Sequence, residues 1–111
     1  MAAVKVQNIR PISLAEGFLA RFIHTENMTF SFLEIKAGSA SAEHAHKQEQ
    51  VAMLLEGIFE LTIEGEPIRF EPGSVVIIPS NAKHSGLAIT DCKLMDVFTP
   101  VREDFKLLSA E

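Results

Sequence analysis

The segment Ile58-Phe59-Glu60-Leu61-Thr62-Ile63 puts Phe59, Leu61 and Ile63 on one side and Glu60, Thr62 and Glu64 on the other. A period of two is the period of a strand and cannot be satisfied by a helix. Short apolar runs of similar kind recur along the chain. They are Met28 to Ile35, where Phe30 and Phe32 alternate with Thr29 and Ser31, then Gln50 to Leu55, Ile68 to Phe70, Ser74 to Ile78, His84 to Ile89 and Leu94 to Phe98. Turn-forming residues separate them, among them Gly38-Ser39, Glu56-Gly57, Gly65-Glu66-Pro67, Glu71-Pro72-Gly73 and Pro79-Ser80-Asn81. Strands spaced roughly 8–15 residues apart with turns between them predict an all-β sandwich or barrel.

Other segments refine this. Ser74 to Ile78 is almost wholly apolar, which predicts a strand covered on both faces. Arg102 to Leu108 suits a short C-terminal helix, with Glu103 and Asp104 favourably placed in its first turn. The start of the chain is less regular, with a helical turn expected over Leu14 to Leu19 and a strand over Ala20 to His24. Residues 1–27 are therefore read as an N-terminal strand and arm region and 28–111 as the barrel. The 111 residues make one domain overall.

Composition excludes several classes. The formal net charge of −5 argues against nucleic acid as a partner, since phosphate recognition needs a basic face. No apolar stretch approaches the roughly 18 residues of a membrane span. The single cysteine, Cys92, cannot form an intrachain disulfide, and a reducing, cytoplasmic location is expected. It is assigned no function. Met53 and Met95 sit in apolar runs and are expected in the core. Arg21 and His24 are expected near the surface of the early strand.

Three of the four histidines are suggestively placed. His44 and His46 are two apart, so on a strand they share a face and two imidazoles can meet one ion. Gln50 and Glu49 follow, and His84 arrives on a later strand after Pro79-Ser80-Asn81. Glu49 would point to the opposite strand face, which favours Gln50. A lone histidine is usually structural, and a His-x-His pair is still weak.

The surroundings strengthen the case. Gly38, five residues, His44-Ala45-His46, three residues, Gln50, six residues and Gly57 resemble the first motif of the cupins. Gly73, Pro79-Ser80-Asn81 and His84 resemble the second, with Asn81 in place of a glycine and Ala88 in place of an asparagine. The resemblance covers roughly residues 28–106 and implies a jelly-roll barrel, the double-stranded β-helix of small single-domain cupins. It also implies a divalent transition metal (Ni, Fe, Mn, Co or Zn) held by His44, His46, Gln50 and His84. Cupins usually carry a carboxylate where this chain has Gln50. Four neutral ligands leave a divalent ion its full charge, which suits Lewis-acid work on an anion or carbonyl.

The ending Asp96-Val97-Phe98-Thr99-Pro100-Val101-Arg102-Glu103-Asp104-Phe105 is similar to that of the pectin-degradation (KdgF-type) subgroup, as is the spacing of His44, His46 and Gln50. Read alone, Phe98 is a core residue and Arg102 pairs with Glu103 or Asp104 at a helix start. The resemblance implies instead catalytic roles for Asp96 and Arg102, and substrate contacts from Phe98 and Arg102. It further implies an isomerase that opens and ketonises 4,5-unsaturated uronates, small anionic sugar-like ligands. Where the subgroup often has Pro-His, this chain has Lys47-Gln48. A metal-dependent dioxygenase of a phenolic or diketone substrate and a non-catalytic sugar-binding module are the alternatives. A homodimer is expected, through pairing that covers sheet edges.

Overall fold

A computed structural model describes residues 3–110. After a single 3₁₀ turn at Val6–Asn8, ten strands and one helix follow. The strands are β1 (Ile12–Ala15), β2 (Phe18–His24), β3 (Thr29–Ile35), β4 (Ala40–His44), β5 (Glu49–Glu56), β6 (Phe59–Ile63), β7 (Glu66–Phe70), β8 (Val75–Ile78), β9 (His84–Ala88) and β10 (Cys92–Thr99). The helix α1 spans Glu103–Ser109. Two antiparallel sheets result, one ordered β1-β2-β3-β10-β5-β8 and the other β4-β9-β6-β7. This is the expected all-β jelly-roll barrel with a short terminal helix. Among the described residues no helix is long and apolar enough to cross a membrane.

The core sits between the sheets. Phe18, Ala20, Phe22, Leu33, Leu54, Phe59, Leu61, Ile78 and Leu94 are among the residues that fill it. Each large side chain so buried stabilises the fold by about 1.5–3 kcal/mol. Gly57 closes the β5–β6 turn at φ 95°, and a Cβ there would lie 2.2 Å from the Asp91 carbonyl oxygen. Only glycine satisfies both conditions. The helix docks on the rim of the barrel, where Phe105 stacks on Phe22 at 4.8 Å and meets Phe98 edge-on at 5.6 Å.

Several expectations are corrected. Leu14 to Leu19 is not a helical turn; it is the hairpin between β1 and β2, with Gly17 at φ 83°. Leu14 and Phe18 both line the barrel cavity because the chain reverses between them, not because it coils. Glu66 and Pro67 belong to β7 rather than to the turn before it. Ser74 to Ile78 is not covered on both faces of the single chain. Its strand β8 is an edge, and Val75 and Ile77 are 48% and 61% exposed. Met53 and Met95 lie on the outer, half-covered face of the six-stranded sheet rather than in the core.

Candidate metal centre and barrel cavity

His44 ends β4 and His84 begins β9, and the two are cross-strand partners in the four-stranded sheet. Gln50, on β5 of the other sheet, faces Phe98 of β10 across the ladder. His46 lies beyond the end of β4, so a loop rather than strand alternation brings it beside His44. That loop is tied down from the second motif, since the Asn81 N–H donates to the His46 carbonyl at 2.8 Å. Asn81 has φ 64°, the backbone state for which the motif otherwise uses glycine.

The side-chain nitrogens of His44, His46 and His84 lie within 4.8 Å of one another and form a group that could hold a metal ion. Their outer nitrogens are already committed. Nδ1 of His44 donates to the Ala42 carbonyl at 2.8 Å, that of His46 to the Gln48 carbonyl at 3.0 Å, and that of His84 to the Ala82 carbonyl at 2.9 Å. In a neutral imidazole this fixes the tautomer and leaves Nε2 as a lone pair. Burial is the main cause that lowers the pKa of His46 and His84 below 6.5, which favours that neutral form.

Gln50 adds a fourth lone pair. Its side chain acts on Asp96 as a hydrogen-bonding group that lowers the carboxyl pKa, and its Oε1 lies 3.1 Å from His46 Nε2. Two acceptors that close repel unless a cation lies between them. His84 Nε2 is itself buried with no hydrogen-bond partner. The donor set therefore fits a metal ion. Glu49 is exposed and Gln50 is 6% exposed, as strand alternation requires.

His44, His84 and Gln50 line a cavity of ≈ 130 Å³ that also takes in Asp96, Phe98, Arg102 and Phe105. Asp96 and Phe98 share the inward face of β10. Burial raises the Asp96 pKa from 3.8 to about 7, against the opposing effects of the Gln50 hydrogen bond and the Arg102 charge. The Arg102 guanidinium lies 3.8 Å over the Phe105 ring and 4.8 Å from the Phe98 centroid. Its fork is taken by Asp104, at 2.9 Å from Nε and 2.7 Å from Nη2. So the simple reading of Arg102 as a partner of Asp104 holds, while the same side chain also reaches the cavity. A larger groove of ≈ 680 Å³ contains Gly17, Lys36 and Cys92 but none of the candidate residues.

Three further cavity or support residues carried no sequence signal of their own. Ser31 lines the cavity from β3. Gln48, 5% exposed, donates from Nε2 to the Val101 carbonyl at 3.1 Å. Thr29 Oγ1 accepts from the Arg102 N–H at 3.0 Å. Arg21 turns away from the site, donating to the Ile9 carbonyl and pairing with Glu34.

Two sheets closed face to face, with three imidazoles converging at one end, define a jelly-roll barrel built for a single small site. The family model of the cupin domain matches residues 31–98, and the chain belongs to the cupin family. Among its relatives is the pectin degradation protein KdgF of Dickeya dadantii, 26% identical over 95 residues that cover 83% of this chain and 86% of that protein. The structure of KdgF from Halomonas sp. superposes with a TM-score of 0.84 at 24% identity, covering 89% of this chain and 93% of that one. An RmlC-like cupin from Shewanella frigidimarina superposes with a TM-score of 0.86 at 22% identity, covering 92% and 93%.

Proposed function

We propose that this cupin opens and ketonises 4,5-unsaturated uronates. The observation that carries the reading is the buried, partly unpartnered Asp96 carboxylate beside the three imidazoles and Gln50. The similarity to a pectin degradation protein supports it. His44, His46, His84 and the Gln50 oxygen would hold a divalent transition metal, which supplies a Lewis-acid centre when bound.

The reaction is an isomerisation. The anomeric hydroxyl loses its proton, the C1–O5 bond breaks as the C1 carbonyl forms, and the resulting C5 enolate gains a proton at C4 to become the 5-ketone. In this reading Asp96 takes the first proton and returns it at C4. Arg102 attracts the carboxylate of the substrate through the N–H groups that Asp104 leaves free. Phe98 and Phe105 give the sugar ring an apolar wall and limit water. The test is to add metal-loaded protein to uronate freshly released by a pectin lyase and follow the ultraviolet absorbance of the conjugated enol acid. Faster decay is expected; a rate equal to that of the buffer control rejects the enzyme reading and leaves a binding module.

We infer also that the protein acts as a cytoplasmic homodimer. Its single cysteine is free and buried. Its six-stranded sheet carries two apolar rows on the outer face. One runs Ile23-Phe30-Val97-Val51-Ile77 and the other Phe32-Met95-Met53-Val75, each step a cross-strand pair. Such a contiguous face is what a two-fold contact between copies would cover.

A further inference from the structure

Among the described residues, three buried side-chain atoms have no hydrogen-bond partner: His84 Nε2, Ser31 Oγ and Asp96 Oδ1. The metal reading accounts for the first. It does not account for the other two. Ser31 is 1% exposed and Asp96 5% exposed, and they are directly opposed on β3 and β10. Facing residues of an antiparallel pair present their side chains to the same side, close together. Both line the cavity that contains His44, Gln50 and Arg102. Native structures seldom leave one buried polar atom unsatisfied, and two on facing residues call for a common explanation.

We propose that Ser31 Oγ and Asp96 Oδ1 together hold one hydroxyl group of a polyhydroxy ligand, which makes Ser31 a specificity-determining residue. A hydroxyl accepts the Ser31 proton and donates its own to the carboxylate through one oxygen atom. An ammonium group would satisfy Asp96 but leave the Ser31 proton without an acceptor, and it would sit beside the Arg102 guanidinium. An ether or a methyl group satisfies neither. The site therefore selects hydroxylated ligands over deoxy analogues of the same shape, because an analogue leaves both protein groups unpaired in a dry cavity. This inference rests on the reading of the cavity as a sugar-acid site, though not on the ketonisation step.

The experiment is a binding cycle by calorimetry on Zn²⁺-loaded protein. The probes are D-galacturonate and tetrahydropyran-2-carboxylate, which share a ring and a carboxylate but differ in hydroxyls. Ser31→Ala is expected to weaken D-galacturonate roughly tenfold and to leave the deoxy acid within about twofold. The melting temperature of Ser31→Ala should hold or rise, because the substitution removes a hydroxyl with no protein partner. Equal losses for both acids, no loss for either, no binding of D-galacturonate by the wild type, or a fall of several degrees in melting temperature would each overturn the proposal. A trapped water at Ser31 in ligand-soaked crystals, with no ligand hydroxyl there, would do the same. If uronate turnover persists while the cycle shows no discrimination, Ser31 alone is misassigned. If the cycle discriminates and turnover is absent, the ketonisation reading is what fails.

Discussion

His24 Nε2 lies 2.9 Å from Ser109 Oγ, a side-chain contact that joins β2 to the last turn of α1. The Ser109 hydroxyl donates to the Phe105 carbonyl at 2.9 Å, so the ring nitrogen must donate to Ser109. His24 Nδ1 then accepts from Thr29 Oγ1 at 2.9 Å, and Thr29 in turn accepts the N–H of Arg102. A neutral imidazole completes this directed chain. A protonated one presents two donors and leaves the Thr29 proton without an acceptor at a site 0% exposed.

Acid should therefore loosen the helix. Burial lowers the His24 pKa below its ordinary 6.5, Lys106 adds to the effect, and Glu103 opposes it. A histidine whose pKa is lowered in the docked state binds fewer protons there. Its contribution to docking is complete above pH 6.5 and is lost progressively as the pH falls below that value. Hydrogen exchange at the Arg102 amide, corrected for intrinsic rates, should show less protection at acid pH in the wild type than in His24→Gln. Parallel pH profiles in the two proteins would remove His24 from the explanation.

The metal site should respond to charge in a definite direction. Gln50→Glu places a unit negative charge against a divalent cation but also against Asp96. At comparable distance the first attraction is about twice the second repulsion, so metal affinity should rise, by at least about tenfold. His84→Ala removes a buried lone pair and should cost more than the roughly 10–100-fold typical of outer partners. Competition with a chromogenic chelator reads both changes.

Arg102 and Asp104 make opposing contributions that one substitution separates. Asp104 neutralises part of the guanidinium charge, yet it also helps to hold the group. The Phe98 and Phe105 rings hold it as well, so neutralisation should dominate. Asp104→Asn is expected to lower KM for an anionic substrate by about twofold to fivefold, modest because the carboxylate is 61% exposed. The gain should shrink at high salt. Arg102→Lys should raise KM, since an ammonium lacks the planar stacking surface.

The outer apolar rows supply the last expectation. Val75→Glu with Ile77→Glu places two charges where both side chains already meet solvent, so the fold should survive. Sedimentation velocity should show a shift from dimer to monomer. A wild-type protein that sediments as a monomer would remove the dimer.

Much of this architecture was legible because alternation is a direct readout of a half-buried sheet. Phe59, Leu61 and Ile63 lie toward the interior, as their spacing required. Alternation alone does not say which face is buried where the residue types run against the faces. In β3, Phe30 and Phe32 lie on the outer face, while Thr29 and Ser31 are the buried pair. Nothing local marks that inversion; it follows from pairing with β10, which sets Ser31 opposite Asp96. The helical turn expected over Leu14 to Leu19 failed for a related reason, since a tight hairpin also brings Leu14 and Phe18 to one side. The links from Gln48 to Val101 and from His24 to Ser109 span 53 and 85 residues. No window of sequence contains both ends.

The candidate ligands are drawn from both halves of the sandwich. His44 and His84 come from the four-stranded sheet, Gln50 from the six-stranded one, and His46 from the segment that joins them. An ion held by all four is thus a cross-brace as well as a reagent. Its occupancy enters the unfolding equilibrium, worth about 2.7 kcal/mol when free metal stands at a hundred times its dissociation constant. Metal starvation would then strike twice, idling the chemistry and slackening the two walls against each other. How long the protein persists in a cell would follow the metal supply.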